Sequence, residues 1–277
     1  MNTLSRFRIN NSQQVKILQS LLNIYGIRCG VDGKFGKETQ NAVKQFQKMA
    51  GIAVDGSVGR QTWKALRVIE DNNLFILQIP FDKIDKVGIN LVNGNRNYKL
   101  ANHYKDTLRN VIINAGMFTM DSAWRNCQDL IVDGKVDNGG NYSNKGIAFR
   151  KTSAYKPLCY QSTTAASRGT IADFIGGSPT LMYNGFSNID AKGIPYSIIS
   201  NAMKRSAVGT DSSSLYIISS LKNVTCKQMC MVGEKLKLTT LLNLDGGGSQ
   251  GLMLGGNTVI PTDGRGIVST IALNMRW

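Results

Sequence analysis

One nine-residue phrase occurs twice near the start of this chain. Val31-Asp32-Gly33-Lys34-Phe35-Gly36-Lys37-Glu38-Thr39 returns as Val54-Asp55-Gly56-Ser57-Val58-Gly59-Arg60-Gln61-Thr62, 23 residues later. In each copy Asp-Gly supplies a tight turn, and a second glycine three positions on supplies another permissive backbone site. A threonine follows where a helix begins, and apolar residues then recur at helical spacing. Such a segment folds as short helices joined by tight loops. Ser12 is the expected N-cap of a first helix, with Val15, Leu18, Leu21, Leu22 and Tyr25 as its apolar stripe. Ala42, Val43, Phe46 and Met49 mark a second helix, and Trp63 and Leu66 a third. Residues 12–66 are therefore predicted to form a compact three-helix unit.

Leu18-Gln19, Tyr25-Gly26, Asp32-Gly33, Phe35-Gly36, Thr39, Ala42-Val43, Phe46-Gln47, Asp55-Gly56, Gly59, Thr62-Trp63 and Leu66 together resemble the peptidoglycan-binding-like domain of cell-wall hydrolases. The resemblance implies a wall-binding domain over residues 1–68, with Asp32, Gly33, Phe35, Asp55, Gly56 and Trp63 as its wall-binding residues.

Charge fits such a target. The formal net charge is +15, and residues 1–68 carry 11 Lys and Arg against 3 Asp and Glu. A basic surface is drawn to polyanions by an attraction that salt screens. Nucleic acid is not the expected partner: no basic stretch is interleaved with aromatics, and no helix-turn-helix or zinc-finger spacing is present. The wall resemblance points instead to peptidoglycan and teichoic acid. No apolar run reaches membrane-span length. Met1 to Asn10 holds Arg6 and Arg8 without an apolar core behind them, so no secretory signal peptide is expected. A wall-directed protein of this kind is expected to wait in the host cytoplasm before release, as a phage endolysin does.

Beyond Glu70-Asp71-Asn72-Asn73, a polar stretch predicted to be a linker, the pattern changes to short apolar runs separated by Gly, Asn and Asp turns. Residues 75–277 are expected to form a second domain. Strands are predicted at Leu74–Pro80, Val111–Asn114, Leu130–Val132, Ile147–Arg150, Thr180–Tyr183, Leu215–Ser219, Leu241–Leu244 and Ile267–Leu273. Asp133-Gly134 reads as a hairpin turn. Helices are predicted at Ala166–Phe174, Tyr196–Lys204 and Thr225–Leu238. The fold class is α+β: a small three-helix module followed by a larger mixed α+β domain.

Four local motifs stand in that domain: Asn114-Ala115-Gly116-Met117-Phe118, Gly176-Gly177-Ser178-Pro179-Thr180-Leu181, Lys204-Arg205-Ser206-Ala207-Val208-Gly209-Thr210-Asp211, and Leu242-Asn243-Leu244-Asp245-Gly246-Gly247-Gly248-Ser249. In this order they resemble the phosphodiester glycosidase family. The chemistry of the residues agrees. Asp245 ends an apolar strand and opens three glycines, where exposed N–H groups would suit an anion. Arg205 offers a planar fork for a phosphate. Asn114 could hydrogen-bond a sugar, and Ser249 with the Gly177-Ser178 backbone could complete the pocket. Gly116, Phe118, Gly209, Gly246, Gly247 and Gly248 complete the expected substrate-binding set.

Glycosidases commonly use two carboxylates. Asp245 is one; Asp211, Asp121, Asp129 and Asp263 are the candidates for the other, with Asp211 favoured because it follows the Arg205 motif. A divalent cation beside Asp245 is chemically reasonable, yet no ligand spacing specifies one. The five cysteines are an odd, scattered set expected to be core or surface thiols, and His103 an ordinary loop or core histidine. With one histidine, zinc and Cys–His solutions are awkward. The expected activity is therefore wall-targeted glycoside hydrolysis at a sugar phosphodiester or amino-sugar linkage of the Gram-positive envelope. A muramidase or glucosaminidase, and a non-catalytic glycan-binding protein, are the rival readings.

Overall fold

The structure is a computed structural model that describes residues 3–6, 8, 10–69, 71, 73–107, 110–120, 123–124, 127, 129–138, 145–150, 158–160, 171–177, 179–190 and 194–276. The N-terminal unit is built from helices α1 (Ser12–Ile24), α2 (Lys37–Met49) and α3 (Arg60–Ala65). The cap of helix α1 lies one residue earlier than expected: Asn11, not Ser12, is the N-cap, and its side chain accepts from the Gln14 N–H. The doubled phrase has a single physical cause. Buried Gln19 donates from Nε2 to Asp32 Oδ1 (2.8 Å), the Lys34 carbonyl (3.1 Å) and Thr39 Oγ1 (3.0 Å), while its Oε1 accepts the Gly33 N–H (2.9 Å). Gln47 repeats this with Asp55, Ser57, Thr62 and Gly56, at 2.8, 2.8, 3.2 and 2.8 Å. Each Asp-Gly turn is thus clamped to the preceding helix by one glutamine amide.

Several expected wall contacts are consumed by this arrangement. Phe35 and Trp63 are core residues, 7% and 0% exposed, so neither presents a ring to a wall polymer. The buried N–H groups of Gly33 and Gly56 are taken by the glutamines. Asp32 and Asp55 stay exposed, but one oxygen of each is committed to its own turn. Those bonds hold both carboxyls below the usual range: for Asp32 the Gln19 amide acts first, for Asp55 the Ser57 N–H. Removing a clamp leaves buried donors and acceptors unpaired. Gln47→Ala is expected to lower unfolding free energy by about 2–3 kcal/mol in urea titrations. A loss below about 0.5 kcal/mol would show the clamp to be incidental.

Among the described residues, the larger domain holds three antiparallel sheets. The first has seven strands in the order Val68–Ile69, Leu74–Pro80, Ser214–Ser220, Ser206–Thr210, Thr240–Asn243, Thr180–Tyr183 and Phe186–Asp190. The second has five: Asn257–Ile260, Leu252–Leu254, Val111–Asn114, Ser269–Met275 and Ile84–Leu91. The third also has five: Lys135–Asn138, Asp129–Val132, Ile171–Gly176, Gly146–Arg150 and Leu158–Tyr160. The α+β class follows. Asp133 and Gly134 make the expected hairpin turn, both with positive φ (50° and 77°).

Three expectations need correction. Val68 and Ile69 pair with Leu77 and Ile76, so the polar stretch after them joins two strands of one sheet rather than linking two bodies. Residues 171–176 form the central strand of the third sheet, not a helix: Ile175 pairs with Leu130 on one side and Ile147 on the other, and pairing overrides the local helical pattern. Residues 166–170 of that expected helix lie outside the described residues. The helix at Tyr196 stops at Ser200, because Asn201 is already extended (φ −76°, ψ 142°). The helix Cys226–Lys235 opens with a capping box between Thr225 and Gln228. It buries Cys226 and Cys230 one turn apart in the core.

Module and domain share one core. A continuous cluster of buried side chains runs from Leu18 and Leu22 of α1 to Leu252, Leu254 and Val259 of the second sheet. Helix α1 packs on the hairpin Leu252–Leu254/Asn257–Ile260, and Gln13 Nε2 donates to the Val259 carbonyl (3.3 Å). At the hairpin turn Gly255 (φ 54°) lies against α1, where a Cβ would stand 3.3 Å from the Ser20 carbonyl oxygen and 3.5 Å from Ile24 Cγ1.

Candidate active site

The first sheet delivers the chemistry. Strand Thr240–Asn243 is buried along its length, and the chain leaves it through Leu244 to place Asp245 at its end. There a cavity of about 310 Å³ opens, walled by Met117, Ile198, Met203, Leu244, Arg205, Asp245, the three glycines 246–248 and Arg265. Burial raises the Asp245 carboxyl to about 6, against the opposing pull of the Ser249 hydroxyl, the Gly246 N–H and the Arg265 charge. Gly246 N–H donates to Asp245 Oδ1 at 2.9 Å.

Asn114 holds Asp245 from behind. Its Nδ2 donates to the Asp245 carbonyl (2.7 Å), while its Oδ1 accepts from Ser206 Oγ (2.6 Å) and the Gly251 N–H (3.0 Å). Only 1% exposed, Asn114 orients the strand end that carries Asp245 and is not presented to a sugar, a correction to its expected role.

Arg205 is corrected more sharply. Its side chain lies at the cavity but is fully buried, with Nε donating to the Val224 carbonyl (2.8 Å) and Nη1 to Asn243 Oδ1 (3.3 Å). Nη2 donates to the carbonyls of Ile198 (2.7 Å) and Asn201 (2.8 Å). Four of the fork's five N–H bonds are therefore spent on protein acceptors, and a two-bond grip on phosphate is not available in this arrangement.

Asp211 is remote from Asp245. Thr210 pairs with Thr240 and Ala207 with Asn243, so Asp211 lies at the opposite end of the strand pair, roughly 15–20 Å away at about 3.3 Å per residue. It closes its own turn, accepting from Ser213, Ser214 and the Tyr216 hydroxyl (2.6 Å). Burial pushes its carboxyl up, but those donors outweigh it and hold the group low. Gly209 belongs to the core rather than the pocket: a Cβ there would meet Leu238 Cδ1 at 2.7 Å.

The other expected residues divide. Gly116 is buried and donates to Ser269 Oγ (2.9 Å), while its neighbour Met117 reaches the cavity. Half-buried Phe118 packs on Trp124, ring centroids 5.0 Å apart. Gly177 sits between the third and first sheets, where a Cβ would come within 2.7 Å of the Thr180 N atom. Ser249 is buried beneath the glycine run. Ser178 and Asp121 lie outside the described residues, and Asp129 is in a strand of the third sheet. His103 is buried against the Ile267 carbonyl (2.7 Å), and burial lowers its pKa. Among the described residues, no three His, Cys, Asp or Glu side chains gather as a metal site.

Asp263 is the candidate acid that the fold brings to the site, and with it comes Arg265, which the sequence reading did not single out. Asp263 N–H donates to the Gly248 carbonyl (2.9 Å), and Arg265 Nε bonds both Asp263 oxygens at 2.9 and 3.0 Å. A Cβ on Gly248 would stand 2.0 Å from Asp263 Oδ2 and 2.4 Å from Arg265 Nη2. The third glycine therefore makes space for an ion pair from another segment. The available signal was an Asp-Gly-Arg turn, Asp263 to Arg265, just before a predicted strand.

Comparison with known families gives two matches in order. Residues 11–66 match the model of a peptidoglycan binding domain, and residues 108–273 match the phosphodiester glycosidase model. A relative, N-acetylmuramoyl-L-alanine amidase CwlL of Bacillus licheniformis, is 48% identical over 62 residues. That alignment covers 21% of this chain and 17% of the amidase. Among solved structures, the catalytic domain of zebrafish N-acetylglucosamine-1-phosphodiester alpha-N-acetylglucosaminidase, auto-inhibited by its pro-peptide, superposes with a TM-score of 0.61 and 18% identity, covering 76% of this chain and 81% of that one. A hypothetical protein from Synechocystis superposes with a TM-score of 0.52 and 13% identity, covering 76% and 61% of the two chains. Both structural likenesses are of fold.

Proposed function

The chain belongs to the phosphodiester glycosidase family, and on that premise we propose that it is an endolysin-like glycosidase. Its reaction would hydrolyse the bond between a sugar's anomeric carbon and a phosphodiester oxygen in the Gram-positive envelope. The single observation carrying this reading is Asp245: a carboxyl raised to about 6, fixed at a strand end and facing an arginine across one cavity. The peptidoglycan-binding domain supports delivery to the wall, and the net charge of +15 supports attraction to teichoic acid.

A phosphate leaving group needs little protonation, so the demanding step is bond formation at the anomeric carbon. In its charged form Asp245 removes a proton from water, whose oxygen bonds to that carbon. The carbon–oxygen bond to phosphate breaks, its electron pair leaving with the phosphomonoester. Nearby positive charge stabilises the departing anion.

Because Asp245 must be charged, kcat/KM is expected to fall about tenfold per pH unit below an acid limb near pH 6. Activity that instead rises on acidification through that limb would make Asp245 a proton donor. Product analysis on purified wall fractions tests the bond. The expected result is phosphomonoester ends released from teichoic-acid-bearing walls, with none from teichoic-acid-free peptidoglycan. New reducing ends in the latter would assign a muramidase or glucosaminidase instead.

A further inference from the structure

Two arginines meet the cavity, and their surroundings are opposite. Arg205 is buried and spends its N–H groups on carbonyls and Asn243. The Arg265 side chain is 28% exposed, and among the described residues it bonds Asp263 and Met120. Nε and Nη2 face Asp263, and Nη1 reaches Met120 Sδ at 3.4 Å. These contacts use three of the five N–H groups of the fork, which leaves one on each terminal nitrogen for a ligand. Two of the three N–H groups of the glycine run are already committed. Gly246 N–H is given to Asp245 and Gly247 N–H to the Lys204 carbonyl (2.8 Å).

We propose that Arg265, not Arg205, grips the substrate's phosphate with the open end of its guanidinium, and that Asp263 is the positioning residue that aims it. The assignment rests on the phosphodiester reading above and names the group that recognises the charged part of the substrate. Gly248 is what admits the pair, since any side chain there would collide with both. A bidentate guanidinium–phosphate pair is the geometry that the open fork fits. The charges around Asp245 are Arg265, which favours its ionised form, and Asp263, which opposes it; Lys99 stands beside Asp263.

The test uses the full chain and two probes, N-acetylglucosamine 1-(methyl phosphate) and the uncharged 4-nitrophenyl N-acetylglucosaminide, with inorganic phosphate as a binding ligand in calorimetry. Arg265→Met is expected to lower kcat/KM on the diester by about 100-fold, at least about tenfold more than on the uncharged glycoside. Phosphate binding should weaken in parallel, with Arg265→Lys intermediate. Asp263→Asn should raise KM for the diester several-fold more than it lowers kcat, and move the acid limb down, whereas Arg265→Met moves it up. Equal losses on both substrates, or wild-type phosphate affinity in Arg265→Met, would overturn the assignment. If the wild type binds phosphate through Arg265 yet cleaves no diester, the functional reading fails and the anion site stands. If the diester is cleaved equally by wild type and Arg265→Met, the functional reading stands and the anion site fails.

Discussion

Asp245→Asn is expected to cut turnover of a sugar phosphodiester by about 10³-fold or more, while the protein binds walls as before and becomes more stable. The two halves of that result have one origin. Burial that raises the Asp245 carboxyl to about 6 makes its charge costly in the folded state. An acid whose folded pKa lies above its unfolded value near 3.8 costs nothing while both states are protonated. The cost grows between about pH 4 and pH 6, and is complete above that. At pH 7 it amounts to about 2–3 kcal/mol, which the neutral amide avoids. The variant should therefore unfold at higher urea than wild type at pH 7, with the gap closing towards pH 4. The Gly246 N–H can still donate to the amide oxygen, so the local turn is kept. Undiminished cleavage in the folded variant would remove Asp245 from the mechanism.

Arg205→Met should do the reverse, destabilising the domain by about 3–5 kcal/mol. The guanidinium ties the carbonyls of Val224, Ile198 and Asn201 to Asn243, joining the strand that carries Asp245 to the segment around Tyr196–Ser200. Methionine fills much of the volume and leaves these buried acceptors unpaired. Its backbone is held as well: the Arg205 carbonyl accepts from Gln250 Nε2 (2.9 Å) and its N–H donates to Ser220 Oγ (2.7 Å). Thermal and urea unfolding should show the loss before any assay is run. A variant of wild-type stability that cannot hold phosphate would restore Arg205 to the ligand role its motif suggested.

What the sequence made legible here was whatever is local in the chain. Asp245 and its glycines were readable because an apolar strand, an acid and three permissive residues stand side by side. The three-helix module was readable from its repeat, although the glutamines that cause the repeat lie in the preceding helices. Arg265 was invisible because its meaning depends on the space left by Gly248, 17 residues earlier. Asp211 was misjudged for the converse reason. It is close to Arg205 in number, but an extended strand carries it to the far end of the sheet. Asn114 and Arg205 were found as chemical types, yet their partners come from elements more than a hundred residues away in one case and from a helix C-terminus in the other. The strand at 171–176 was lost to a helical pattern because only its two neighbours in the third sheet decide it.

The seating of α1 on the Leu252–Leu254/Asn257–Ile260 hairpin turns the N-terminal module from a leash into a bracket. A flexible leash lets a catalytic domain sweep a sphere around its anchor, with local concentration set by linker length. A bracket sweeps nothing. Each anchoring event offers the cavity a fixed patch of envelope at one distance and one angle, so cutting sites should follow the spacing of anchor points in the wall rather than the abundance of scissile bonds. If the proposed wall hydrolysis holds, reaching a second patch requires the protein to let go and land again, so slower release from the wall should slow turnover on it.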